Sequence, residues 1–166
     1  MIYYIADNHF GHKNVIRFDN RPFADTVLMD EVLVHNWNER VTEDDTVYIL
    51  GDCFWKNEEN SVKLIQRLKG HKHLIRGNHD RVHGRLRFYY ESIEHYAEIN
   101  DNDRLVILCH YPIPFYKNQH YGAVMLYGHV HNTREQDFIE KWKRELWESE
   151  IPCNMRRLPA MWHLPT

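Results

Sequence analysis

Three features of this 166-residue sequence predict an α/β fold. Short apolar runs, rich in β-branched and aromatic residues, have the length of strands. Between them lie segments in which apolar residues recur at the three- and four-residue spacing of a helix. The two patterns alternate along the chain, as they do in βαβ units. No internal repeat or linker interrupts them, so a single domain over residues 1–166 is expected.

The individual elements follow from these patterns. In chain order we expect a strand over 1–7, a helix over 27–40, a strand over 46–52, a helix over 58–69, a strand over 72–77, two strands over 104–110 and 123–129, and a helix over 134–148. Gly70 is expected to end the second helix. The apolar face predicted for the first helix consists of Leu28, Val32, Leu33 and Trp37. The stretch before residue 104 and the tail 151–166 show no clear pattern.

Composition narrows the class of protein. The formal net charge is −3, whereas general nucleic-acid and membrane-surface binders usually carry a basic excess. The three cysteines form no CxxC pair, which disfavours a disulfide framework or a cysteine zinc site. Asp7 interrupts the apolar N-terminus as a signal peptide would not, and no apolar run reaches transmembrane length. We therefore expect a soluble, cytoplasmic protein without membrane association, and its 13 histidines are the unusual feature.

Polar residues that can bind metals follow the end of each predicted strand. They are Asp7 and His9, Asp52, Asn78 with His79 and Asp80, His110, and His129 with His131. A single Asp or His at such a position is more commonly a turn residue, and a helix-capping turn would explain Asn78–Asp80 alone. Ligands, however, bind at the carboxyl ends of strands in open α/β sheets. The same ending on five strands therefore favours one site along a shared rim.

The ordered set of motifs DNH (7–9), GD (51–52), GNHD (77–80), His110 and GHVH (128–131) resembles the calcineurin-like metallophosphoesterase superfamily. The opening DNHFGHKNVIRFDNRPF further resembles a small bacterial and phage branch of uncharacterised phosphoesterases. The resemblance implies a four-layer αββα sandwich with two divalent metal ions at its rim. Manganese is the first metal to expect, with iron, zinc and nickel as alternatives, because histidine and carboxylate ligands suit them all.

The resemblance also implies a role for each metal-ligand position. One ion would be held by Asp7, His9 and His131. The other would be held by Asn78, His110 and His129. Asp52 would bridge the two ions, since a carboxylate has an oxygen for each. The ions would bind the oxygens of a phosphodiester or phosphomonoester and supply a metal-bound hydroxide to attack its phosphorus.

His79 has a separate role by resemblance. It would contact the substrate phosphate and protonate the leaving oxygen, while Asp80 orients its ring and favours the imidazolium. Weaker candidates for substrate contact are His12, Arg17, Arg21 and Arg81, for which a surface position is the alternative.

The expected substrate is a small phosphoester, a nucleotide or a nucleic-acid end. A chain of this length leaves no room for a separate cap domain, so an open site that tolerates a diester is expected. The alternative function is a non-catalytic metal-binding scaffold or protein-interaction module on the same fold. The filled ligand positions and His79 disfavour it.

Overall fold

The computed structural model describes residues 1–160, and the last part of the C-terminal tail, 161–166, lies outside it. The described chain is α/β, with eight strands in two sheets and four α-helices. The strands are β1 Ile2–Ile5, β2 Thr46–Leu50, β3 His71–Ile75, β4 Ser92–Glu94, β5 Tyr96–Asp101, β6 Arg104–Cys109, β7 Val124–Tyr127 and β8 Met155–Arg157. The helices are α1 Lys13–Phe18, α2 Thr26–Arg40, α3 Glu58–Ile65 and α4 Arg134–Glu148.

The predicted α/β class is confirmed, and the differences lie in particular elements. Helix α3 ends at Ile65 rather than 69, and Gly70 instead takes a left-handed turn (φ 85°) just before β3. Helix α1 and strands β4, β5 and β8 were not predicted. Strands β4, β5 and β8 lie in the two stretches that showed no clear pattern.

Sheet topology places the polar loops. The first sheet has the order β1-β2-β3-β4 and is parallel throughout. The second has the order β5-β6-β7-β8, in which β6, β7 and β8 are parallel and β5 is antiparallel to β6. Parallel strands end at the same edge of a sheet, so the loops after β1, β2 and β3 share one edge, as do those after β6 and β7.

Alternate residues of the strands enter different apolar clusters, as the two-residue period of a strand requires. In β2, Val47 and Ile49 join the cluster that includes α2 and α3, whereas Leu50 joins a cluster that contains residues of both sheets. In β7, Leu126 joins that same shared cluster, while Met125 joins a third one, against which Trp142 of α4 packs.

Helix α2 presents a buried stripe to the first sheet. Asp25 begins the helix by accepting hydrogen bonds from the backbone N–H groups of Val27 and Leu28, each at 2.9 Å. The stripe consists of Met29, Leu33 and Trp37, at four-residue spacing. Leu28 was predicted to face inward but is 48% exposed, because Met29 rather than Leu28 occupies the inward position of the first turn. None of the helices in residues 1–160 combines the length and apolarity needed to cross a membrane.

Candidate metal centre

The loops after β1 and β2 run side by side. The backbone N–H of His9 donates to the carbonyl of Asp52 at 2.9 Å, and that of Phe10 donates to Cys53 at 2.9 Å. The N–H of Asp7 similarly donates to Gly51 at 3.1 Å. These bonds hold Asp7, His9 and Asp52 close together although they come from two strands.

Left-handed backbone conformations recur at the expected metal ligands. Such conformations are uncommon for residues other than glycine and cost roughly 1–2 kcal/mol each. Strain of this kind clusters at functional sites, where the surrounding structure maintains it. Five of the seven expected metal ligands have φ between 44° and 69°: Asp7, His9, Asp52, His129 and His131.

Asp7, His9 and His131 form the first group of donors, and their ligand atoms all lie within 4.8 Å of one another. The Nε2 atoms of His9 and His131 are 3.1 Å apart. At metal–nitrogen distances of about 2.1 Å this separation corresponds to an angle of about 95° at a shared ion, which is a normal coordination angle. Asp7 Oδ1 is buried and accepts no hydrogen bond within the described chain. The group therefore fits a metal ion.

Asn78, His110 and His129 form the second group. Asn78 Oδ1 lies 3.0 Å from His110 Nε2 and 3.0 Å from His129 Nδ1. The fully buried His110 donates its Nδ1–H to the carbonyl of Leu50 at 2.9 Å, so a neutral ring directs the lone pair of Nε2 at the amide oxygen. Two acceptors at that distance repel each other unless a cation lies between them. This group also fits a metal ion.

Asp52 lies between the two groups. Its buried Oδ2 is 3.7 Å from His9 Nε2 and 3.7 Å from His110 Nε2. Its other oxygen, Oδ1, accepts the backbone N–H of His79 at 2.9 Å. A single carboxylate oxygen therefore faces one imidazole of each group.

Burial shifts the titration of several donors. It raises the pKa of Asp7 to about 6 and lowers the pKa of His9 to about 2. Burial also lowers the pKa of His129. Neutral imidazoles are the form that binds metals, and a cation beside Asp7 would stabilise its buried carboxylate.

Asp19 supports the first group of donors by contacting the side of His131 that faces away from His9. His131 Nδ1 lies 2.9 Å from both carboxylate oxygens of Asp19, which leaves Nε2 to face His9. Burial lowers the pKa of His131, but the carboxylates of Asp19 and Asp7 outweigh burial and raise it overall. Asp19 was not predicted as a functional residue, because a single Asp in a polar loop does not indicate such a contact.

Arg21 was expected as a candidate for substrate contact, and the structure contradicts this. The residue is buried, and its guanidinium donates to the backbone carbonyls of Asp7 at 2.8 Å and Asn8 at 2.7 Å. It also pairs with the Asp19 carboxylate at 3.1 Å. These contacts direct Arg21 into the loop that carries Asp7 rather than towards solvent.

The GNHD loop separates the roles of its last two residues. The His79 side chain is 41% exposed, and its Nε2 lies 4.0 Å from Asp52 Oδ2, so it borders both the donors and solvent. The prediction that Asp80 orients the His79 ring is wrong. Asp80 is buried and accepts the backbone N–H groups of Asp52 at 2.9 Å, Cys53 at 3.0 Å and Gly77 at 2.8 Å. Its carboxylate therefore links the GNHD loop to the loop after β2.

The other weak candidates differ in position. The ring of His12 stacks on Trp55 with centroids 3.9 Å apart and lies 5.2 Å from the ring of His9, so it borders the donors. Arg17 is exposed on α1 and lies over the ring of Phe18. Arg81 is exposed and lines a cavity next to His79.

Comparison with known proteins places the chain in a family. No protein-family model matches it. It is 35% identical over 149 residues to the uncharacterized protein MJ1445 of Methanocaldococcus jannaschii, a match that covers 87% of this chain and 78% of that protein. The chain therefore belongs to the family of MJ1445. The gene 66 protein of Mycobacterium phage D29 is 26% identical over 159 residues, covering 79% of this chain and 78% of that protein.

A solved structure shares the fold. The protein of unknown function AQ665 from Aquifex aeolicus matches with a TM-score of 0.73 and 24% identity, over 98% of this chain and 91% of that one. The α/β arrangement of the described residues thus occurs in a second protein.

Proposed function

We propose that the protein is a phosphoesterase that uses two divalent metal ions to hydrolyse a phosphodiester or phosphomonoester. The observation that carries the proposal is the position of Asp52 Oδ2, 3.7 Å from an imidazole nitrogen of each donor group. Two adjacent groups that share a carboxylate are the arrangement a two-metal hydrolytic site requires. Isolated structural metal sites need no such shared ligand.

Each ion has a complete set of candidate ligands. Asp7, His9 and His131 would hold one ion, Asn78, His110 and His129 the other, and Asp52 both. When bound, the ions would neutralise the phosphoryl oxygens and lower the pKa of a water molecule. Manganese remains the first expectation, with iron, zinc and nickel as alternatives, since the donors are imidazole, carboxylate and amide oxygen.

His79 would supply the proton for the leaving oxygen. It is close to Asp52 without belonging to either donor group, and its ring is accessible to a substrate. Its backbone is held in place because its N–H donates to Asp52. In the same loop, Asp80 accepts the N–H of Cys53, which fastens the loop to the one after β2, and the N–H of Gly77 within the loop itself. A general acid positioned in this way protonates the leaving group as the bond to phosphorus breaks.

The three apolar clusters support a four-layer αββα order. Helices α2 and α3 cover one face of the first sheet, the two sheets share a cluster, and α4 contributes to a cluster with β6 and β7. Within the proposal, residues 1–166 form one metallophosphoesterase domain. A small phosphoester, nucleotide or nucleic-acid end is its substrate, and the cytoplasm is its location.

Hydrolysis of bis-(p-nitrophenyl) phosphate tests the proposal. We expect turnover with added Mn²⁺ and its loss in a chelator, with Fe²⁺, Zn²⁺ and Ni²⁺ compared in parallel. His79→Ala should lower turnover, whereas His35→Ala, which changes an exposed histidine of α2, should not. Metal binding without hydrolysis of this ester or of a panel of monoesters and nucleotides would overturn the proposal. That outcome would favour a non-catalytic metal-binding module instead.

A further inference from the structure

A cavity of about 180 Å³ lies beside His79, next to the proposed metal centre. Of the seven residues assigned to metal ligation, only Asn78 lines it. The cavity therefore extends away from the metal ligands on the side where His79 is accessible. Since His79 would protonate the leaving oxygen, the departing part of the substrate has to lie on this side. This step rests on the proposed function.

The walls of the cavity combine aromatic rings, apolar side chains, two cations and the Asp80 carboxylate, which already accepts backbone N–H groups. Trp55 is 44% exposed, although Phe54 next to it is buried. The Trp55 ring is held on one side by the stacked ring of His12 and meets the ring of His79 in an edge contact, with centroids 4.5 Å apart. Leu86 and Tyr90 supply buried apolar surface. The site is thus partly aromatic and apolar.

The two cationic side chains at the cavity, Lys56 and Arg81, differ in whether an acidic residue of the described chain pairs with them there. Lys56 Nζ pairs with Asp30 at 3.1 Å, so its charge is already partly compensated. Arg81 is exposed and extends from the GNHD loop. A guanidinium in this position suits a phosphate, which it can bind through two parallel N–H groups.

We propose that this cavity binds the leaving nucleoside of a nucleic-acid phosphodiester, with its base against Trp55 and the next phosphate at Arg81. The volume exceeds the roughly 150 Å³ of a cavity that accommodates benzene, so a single base ring fits. Aromatic walls bind bases by stacking, largely without sequence preference. In the reaction, the oxygen of water bonds to phosphorus and the water releases one proton to solvent, while the bond from phosphorus to the nucleoside oxygen breaks. That oxygen keeps the electron pair and takes the proton of His79.

The trinucleotide d(TpTpT) and bis-(p-nitrophenyl) phosphate distinguish the cavity from the metal centre. The trinucleotide offers a base and a further phosphate, whereas the nitrophenyl ester offers no second phosphate. Arg81→Ala and Trp55→Ala should raise KM for d(TpTpT) roughly tenfold or more, and the nitrophenyl ester should lose less. Trp55→Phe should recover part of the loss. Phe88→Ala and Arg87→Ala are matched controls that change exposed residues outside the cavity and should leave both substrates unaffected.

Binding measured without turnover gives a second readout. Titration calorimetry of d(TpTpT) with the chelator-treated protein should show weaker binding in Arg81→Ala and Trp55→Ala than in Phe88→Ala. Wild-type activity on the nitrophenyl ester, combined with equal losses on both substrates in the two cavity variants, would overturn the cavity assignment and leave the phosphoesterase proposal standing. A wild-type protein inactive on both esters would overturn both.

Discussion

At the scale of single residues, two histidines each use one ring nitrogen in a hydrogen bond, so that the other nitrogen faces the site. Nδ1 of His110 bonds to the carbonyl of Leu50, and Nδ1 of His131 bonds to Asp19. Because the tautomer of a histidine is set by the partner of its second nitrogen, these contacts leave both Nε2 atoms available to a metal. The orientation of these two imidazoles thus depends on contacts outside the proposed ligand set.

Comparing His79→Ala with His110→Ala separates a proton donor from a metal ligand. His110→Ala should lower metal content and turnover together, and excess metal should restore part of the activity. His79→Ala should keep its metal and slow turnover about 10²–10⁴-fold, the usual contribution of a general acid. The loss should be smaller for p-nitrophenyl esters than for alkyl or ribose diesters, because nitrophenolate leaves with little protonation. Metal loss in His79→Ala, or equal slowing of both ester types, would refute the assigned acid.

Asp19→Asn tests the support behind His131. The variant keeps the volume of the side chain but loses the charge that orients the ring. We expect metal affinity to fall about 10–100-fold, as is usual when such a supporting carboxylate is changed, with activity recovering at high metal concentration. Asp44→Asn changes an exposed aspartate and is the matched control. Unchanged affinity in calorimetric titrations of Asp19→Asn would show that His131 does not need the Asp19 carboxylate.

At the scale of elements, the strand endings were predictable and the packing beneath the loops was not. Apolar runs that stop at Asp7, Asp52 or His110 predict where the strands end. The residues that follow them therefore lie at the carboxyl edge of the sheets. By contrast, Asp80 binds three backbone N–H groups, and Arg21 binds two backbone carbonyls. Neither contact follows from residue type or spacing, because each depends on how two loops fold against each other. Arg21 was therefore assigned to substrate contact, and Asp80 to the orientation of the His79 ring, incorrectly.

Secondary structure divides in the same way. Strands β2 and β6 are buried and rich in Val, Ile and Leu, so their sequence alone identifies them. Strand β5 contains only two apolar positions that pack inward, Ala97 and Ile99, and β4 and β8 have three residues each. Such strands are held by pairing with a neighbour rather than by a local pattern, which explains why they were missed.

Asp80→Ala tests whether the GNHD loop is fastened to the loop after β2. The change leaves three N–H groups of Asp52, Cys53 and Gly77 without their acceptor. Hydrogen bonds to a charged partner contribute about 1.5–3 kcal/mol each, and such contributions overlap, so a loss of about 3–5 kcal/mol in the free energy of unfolding is expected. Urea unfolding of the metal-free protein measures it. A loss below about 1 kcal/mol would mean that the carboxylate is dispensable to the loop.

At the scale of the whole molecule, the two sheets bring their polar loops to one proposed metal centre. Asp7, Asp52 and Asn78 come from the first sheet, while His110 and His129 come from the second. Neither sheet alone supplies both donor groups. The centre should therefore couple metal binding to the stability of the packed sheets.

Metal removal tests this coupling. An ion that binds only the folded protein stabilises it by about 2.7 kcal/mol at a concentration of one hundred times Kd. At about 2–4 °C per kcal/mol for a domain of this size, each ion should raise Tm by about 5–10 °C. Differential scanning calorimetry with Mn²⁺ and with a chelator gives the difference. Equal Tm values with saturating Mn²⁺ and with the chelator would contradict a site built from both sheets.

Electron paramagnetic resonance of the protein loaded with Mn²⁺ tests the central claim, that two ions share Asp52. Two Mn²⁺ ions that share the Asp52 carboxylate should give two metals per chain and the spectrum of an exchange-coupled pair. In Asp52→Asn, which lacks the anionic bridge, the coupled spectrum should disappear and the metal content should fall, while Asp44→Asn keeps both. A wild-type spectrum of isolated Mn²⁺ alone, or two tightly bound and coupled ions in Asp52→Asn, would contradict the bridged centre.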